Sequence, residues 1–220
     1  MTAIDQDRVA PHQIKDWVYD RLRQALIDQD IAPGEPLREA ALTERYGISK
    51  TPIREALVRL QRDGLVEIAA YRGARASTYT RERLLEIFET REILESECVR
   101  RAAQDESGEV ARQLQATVDA AEAALAADDL DTVGHNLDEF DSILFAQLHN
   151  TLLDEIRDRL TMHLQRMGRT HLTAESARRS LGDHRAIIEA ITAHDVDGAL
   201  RALRAHLQSV QEQQVAALGL

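Results

Sequence analysis

The stretch GISKTPIREALVRLQRDGL, Gly47 to Leu65, decides how the first third of the chain is read. Ile53, Ala56, Leu57 and Leu60 recur at helical spacing and form one apolar face, with Arg54, Glu55, Arg59 and Arg62 turned elsewhere. Ser49 or Thr51 can cap this helix. In either register Pro52 falls in the first turn, where a missing N–H removes no internal hydrogen bond. Gly47 is placed to close a preceding helix as a left-handed cap, and Gly64 to end this one. The positive end of the helix dipole and its free N–H groups then lie beside Lys50 and Arg54, an arrangement suited to phosphate.

On the N-terminal side, residues 12 to 29 hold Ile14, Val18, Leu22, Leu26 and Ile27 at helical spacing until APGEP (Ala32 to Pro36) breaks the pattern. A second, short helix fits Arg38 to Tyr46. On the C-terminal side, LVEIAAYRGARAST from Leu65 is β-tolerant and centred on Tyr71-Arg72-Gly73, as in a small hairpin. Three helices with a tight turn between the second and third, then a hairpin, is the order of a winged helix-turn-helix, whose third helix enters the major groove N-terminus first. In that frame Arg54 meets a guanine edge, and Lys50 and Thr51 hold phosphate or a base edge. Gly73 lets the wing approach the minor groove beside Arg72 and Arg75. Helix order and charge alone also allow a helical hairpin whose basic residues merely solvate a surface.

Charge is unevenly spread. The chain of 220 residues carries a net −11, yet residues up to Thr78 hold twelve basic and twelve acidic side chains, against fifteen and twenty-six beyond it. Arg38, Arg45, Lys50, Arg54, Arg59, Arg62, Arg72 and Arg75 outnumber the acids between Arg38 and Arg75, so a cationic partner surface is confined to the first part. From Thr80 there is no proline. Breaks near Ser107-Gly108, Asp128-Asp129, Asn150, Thr173 and His194-Asp195 divide the remainder into about six helices, an all-α bundle. The expected organisation is therefore mainly α, with a winged helix-turn-helix over residues 1–78 and a helical bundle over 79–220. No apolar run approaches the roughly 18 residues of a membrane span, and no signal-peptide pattern opens the chain. Cys98, the single cysteine, cannot form an internal disulfide, and the expected compartment is the cytoplasm.

In the helical part a few polar residues fall on apolar stripes. Arg91 and Glu95 interrupt Leu84, Ile87, Phe88, Leu94 and Cys98, either as an internal i,i+4 pair or because Arg91 awaits a ligand carboxylate. Asp141 borders the stripe of Phe140 and Leu144, and His163, His184 and His206 each lie among leucines and isoleucines. A lone histidine on such a stripe is more often a hydrogen-bonded core residue than a ligand, and no His-x-x-x-His pair or cysteine cluster is present.

The segment PGEPLREAALTERYGISKTPIREALVRLQRDGLVEIAAYRGARAS, Pro33 to Ser77, resembles the N-terminal domain of the GntR family of bacterial transcription regulators, in its FadR subfamily. The shared features are PG, L-x-E, SxTPxREAL-x-RL-x-x-x-GL and RG, in that order. That resemblance implies DNA contacts from Arg38, Ser49, Lys50, Thr51, Arg54, Arg72 and Gly73, with Lys50 standing where arginine is commoner. The last 140 residues resemble the FCD effector-binding domain through Arg91, Phe140, Asp141, Asn150 nine residues later, and HRAIIEAITAHDVDGALRALRAHL. Many such domains hold Zn²⁺ or a similar divalent ion through an Asp-x-x-x-His pair and two later histidines. Here Leu137 and Asp141 occupy the places of that pair, leaving Asp141, His184 and His206 as the implied metal set and His163 as a substitute ligand or pocket donor. Arg91, Asn150 and His163 are the implied effector residues. The resemblance implies a homodimer that binds double-stranded operator DNA, represses a catabolic or transport operon, responds to a small carboxylate and has no enzymatic activity. Two rivals are a metal-dependent helical enzyme using Asp141, His184 and His206, and a helical adaptor without DNA binding. The intact SKTPIRE segment argues against the adaptor.

Overall fold

The computed structural model describes residues 11–220, with side chains throughout that range except at 11–13 and 169–171. The chain divides into two compact units, Met1–Thr78 and Tyr79–Leu220, with residues 1–10 of the first lying outside the described range.

The first unit runs α1 (Pro11–Ile27), β1 (Pro36–Leu37), α2 (Glu39–Tyr46), α3 (Lys50–Arg62), β2 (Val66–Ala69) and β3 (Gly73–Ala76). Val18, Leu22 and Leu26 of α1 bury themselves against Ile53, Leu57 and Leu60 of α3, the apolar face expected of the Gly47–Leu65 stretch. Each such side chain contributes about 1.5–3 kcal/mol by leaving water. Gly47 stands at φ 67° and its N–H donates to the Thr43 carbonyl, which stops α2 and turns the chain into α3. Such a φ is strained for any residue with a Cβ. The sheet is antiparallel, ordered β1-β3-β2, with Val66 opposite Ala76 and Pro36 opposite Arg75. Its hairpin turns through Tyr71 and Gly73, both at positive φ. The β1 strand was not expected: two residues carry no periodicity, and it forms because Leu37 is buried beside the hairpin.

The second unit contains, among the described residues, α4 (Arg81–Ala103), α5 (Glu109–Ala126), α6 (Leu130–Phe145), α7 (Asp154–His171), α8 (Ala174–Thr192) and α9 (Val196–Leu218). Two 3₁₀ turns, over 146–148 and 151–153, join α6 to α7. Each expected break is realised by local chemistry. Asp129 and Asp195 accept the Thr132 and Gly198 N–H groups, Thr173 and Ser176 form a reciprocal capping box, and Gly108, Asp128, His149 and His194 take positive φ. Leu84, Phe88, Cys98, Leu114, Phe140, Leu144, Ile187 and Leu203 belong to one core. Burial pushes the Cys98 thiol up to about 12, so it serves as packing. No described helix is long and apolar enough to cross a membrane.

Candidate nucleic-acid interface and ligand chamber

In the first unit, Arg38, Ser49, Lys50, Thr51, Arg54, Arg72 and Gly73 are all exposed. Ser49 occupies the N-cap of α3 in extended backbone, and Lys50, Thr51 and Pro52 form the first turn, so the proline costs no helical hydrogen bond. Ser49 makes no side-chain cap bond, which leaves the N-terminal N–H groups of α3 to other acceptors. Arg54, one turn on, is held by Glu39 of α2 through two bonds, Nε to Oε1 at 2.9 Å and Nη2 to Oε2 at 2.7 Å. Those bonds keep the Glu39 carboxyl below its usual range. They also fix the direction of the guanidinium before any partner arrives. Arg59 faces elsewhere, paired with Asp16 at 3.2 Å and stacked 3.7 Å over the Tyr19 ring, so it locks α3 onto α1.

In the second unit, a chamber of about 100 Å³ is lined from five helices, with Arg91 of α4, Asp138 and Asp141 of α6, His184 of α8, and His206 and Gln214 of α9 among its walls. Buried Arg91 donates from Nε to Glu95 at 2.6 Å and from Nη2 to the second Glu95 oxygen at 3.4 Å. The expected i,i+4 pair is therefore present. Its Nη2 also stands 3.8 Å from Asp141, an ion pair without a hydrogen bond. Burial works against the Arg91 charge, but Glu95 and Asp141 hold it above its ordinary range. Burial raises Asp141 to about 7, with Glu95 and Asp138 adding to the shift and Arg91 opposing it. Asp138 is pushed up to about 6 by burial, against the pull of His135 and a Gln165 hydrogen bond. The His184 ring stacks on Phe140 at 3.9 Å, and burial, His206 and Arg91 lower it well below the usual imidazole range, so it stays neutral. Its Nδ1 is buried with no hydrogen-bond partner, and so is Gln214 Oε1. His206 Nδ1 lies 3.3 Å from Asp183.

Asp141, His184 and His206 thus share one chamber, yet they do not fit a divalent ion as this chain sets them. Leu137 offers no ligand atom on the same wall, and Asp141 faces the Arg91 guanidinium. Among the described residues no three His, Cys, Asp or Glu side chains form a group able to hold a metal. Two implied effector residues also lie elsewhere. Asn150 accepts the Leu152 N–H and starts a 3₁₀ turn, while buried His163 meets the Tyr79 hydroxyl at 3.1 Å through Nδ1. Asp138 and Gln214 join the chamber instead. Asp138 was discoverable as the i,i+3 neighbour of Asp141 on α6; nothing in sequence marked Gln214.

The model of the "Bacterial regulatory proteins, gntR family" matches residues 14–75, and that of the "FCD domain" matches residues 86–209. The HTH-type transcriptional repressor RspR of Escherichia coli K12 is 26% identical over 202 residues, covering 90% of this chain and 88% of its own. The repressor GlaR from the same organism is 27% identical over 201 residues, covering 86% and 90%. Among solved structures, a GntR transcriptional regulator from Rhodococcus sp. RHA1 superposes with a TM-score of 0.76 at 22% identity, over 92% of this chain and 98% of that one. E. coli McbR/YncC gives 0.72 at 21% identity, over 91% and 98%. With an exposed, cationic helix start in one unit and a polar chamber in the other, this chain belongs to the GntR family of DNA-binding transcription regulators and carries an FCD domain after its DNA-binding domain in sequence.

Proposed function

We propose that the protein is a homodimeric, cytoplasmic repressor that binds operator DNA through α3 and the hairpin and responds to a small carboxylate held at Arg91. The observation that carries the DNA half is the start of α3: a buried apolar face, free N–H groups, exposed Lys50 and Thr51, and an Arg54 guanidinium oriented by Glu39. Its free edge suits a bidentate contact to guanine, with Lys50 and Thr51 on phosphate and Arg38, Arg72 and Gly73 following the backbone. Repression rests on the names of RspR and GlaR, and dimerisation on the paired half-sites that helix-turn-helix proteins read. The carboxylate reading rests on Arg91, whose Nε edge is taken by Glu95 while Nη1 engages no hydrogen bond among the described residues. A ligand that binds one conformation of the dimer better than another shifts DNA affinity by that difference.

The test is a mobility-shift titration with DNA from upstream of the protein's own gene. Replacing Arg54 with alanine should cost roughly 1–3 kcal/mol of discrimination, about a five- to 150-fold loss of operator affinity, with the helical content and dimer unchanged. Unaltered binding would remove Arg54 from the interface.

A further inference from the structure

The chamber presents more acceptors than a plain carboxylate ligand can use. Arg91 is its one guanidinium among the described lining residues, and Glu95 already pairs with it. Asp138 and Asp141 stand on the same walls, three residues apart on α6. A simple organic acid would satisfy Arg91 but offer no donor to Asp138, Asp141 and Gln214 Oε1, and its charge would oppose the ionised forms of Glu95 and the two aspartates. A ligand that carries an ammonium as well adds no net charge. An ammonium has three donors, and the chamber presents acceptors in Asp138, Asp141 and the partnerless Gln214 Oε1. The Nη1 group of Arg91 and, in the Nδ1–H tautomer, the buried, partnerless Nδ1 of His184 supply donors for a carboxylate.

A second, larger hollow of about 360 Å³ adjoins the chamber and shares Leu137, Gly168, Ser180, Val210 and Gln214 with it. Leu172, Ala216 and Ala217 continue its wall, together with the polar Thr173, Glu175, Ser176, Arg179 and Gln213. Leu137, standing where the resemblance has an aspartate, puts an apolar side chain on the shared wall beside Ser180 and Gln214, and a Cβ at Gly168 would meet nothing within 4 Å. The outer hollow therefore offers a short hydrocarbon chain an apolar surface, with polar residues on the rest of its wall.

Resting on the carboxylate reading above, we infer that the ligand is an α-amino acid with an aliphatic side chain. Its carboxylate lies on Arg91 Nη1 and His184 Nδ1, its ammonium faces Asp138, Asp141 and Gln214, and its side chain passes Leu137 into the outer hollow. The full-length protein is titrated by calorimetry with four probes: L-norvaline, pentanoate, butylamine and glutarate. L-Norvaline should bind at least about tenfold more tightly than each of the others, the scale of one lost charge-assisted contact. Asp141→Asn, which keeps the side-chain shape, should lower norvaline affinity by about tenfold and leave pentanoate unchanged or improved. Pentanoate or glutarate matching norvaline overturns the amino-acid assignment and leaves the carboxylate reading standing. Butylamine matching norvaline removes the Arg91 contact and sinks the carboxylate reading with it. Silence from all four overturns the assignment, and the comparison on the unaltered protein decides it even if the variant does not fold.

Discussion

Asp141 is held in a state that its own chemistry resists. Burial raises its carboxyl to about 7 from an ordinary value of 3.8, so the folded protein binds a proton there that the unfolded chain releases. An acid raised in this way stabilises the fold fully below its unfolded value, and that contribution is lost as pH climbs toward the folded value. The helical unit should therefore be most favoured by Asp141 near pH 4 and lose up to about 4 kcal/mol from this residue by pH 7, an upper bound because the side chain is 20% exposed. Thermal unfolding of the whole protein between pH 5 and 8, compared with Asp141→Asn, checks this: the variant should show a flatter dependence across that window, and parallel curves would contradict it. The Arg91–Glu95 pair was legible from its four-residue spacing on an apolar stripe. The approach of Asp141 to Arg91 was not, because it joins α4 to α6 and no local pattern encodes the distance between helices.

Elements were legible wherever the chain carries its own punctuation. Gly47 illustrates this: the left-handed turn it makes between α2 and α3 is a backbone requirement that glycine alone meets without strain. A Cβ there would touch nothing within 4 Å, so Gly47→Ala tests conformation with no packing contribution. It should cost about 1 kcal/mol, with Gly47→Asn costing less because asparagine tolerates that φ. Denaturant unfolding reads the difference, and an alanine variant as stable as the parent would show that the turn relaxes. Asp129, Thr173 and Asp195 announced their helices in the same way, each as a cap with a donor three residues on. The two-residue β1 and the first 3₁₀ turn, over 146–148, have no such signature. They arise from burial of Leu37 and Leu148, which depends on what lies across the fold.

Over the whole molecule, the net charge of −11 conceals two sites governed by opposite physics. The reading head is exposed and cationic, and its charges act on a polyanion through solvent; the chamber is buried, and its charges act at contact distance. Counterion release makes the first steeply salt-dependent, with log K falling by about 0.9 per phosphate neutralised for each unit of log salt. Two heads of the proposed dimer, each neutralising three phosphates through Arg38, Lys50 and Arg72, would lose roughly a thousandfold in operator affinity between about 50 and 200 mM salt. Ligand binding in the chamber should change no more than about twofold over the same range, because a zwitterion shielded from solvent is little affected by screening. Measuring both affinities in one buffer series separates the two. A shallow operator slope would mean that the acidic helical unit, rather than the basic head, dominates the field met by DNA, and a steep ligand slope would place the ligand on the surface instead of among Arg91, Asp141 and His184.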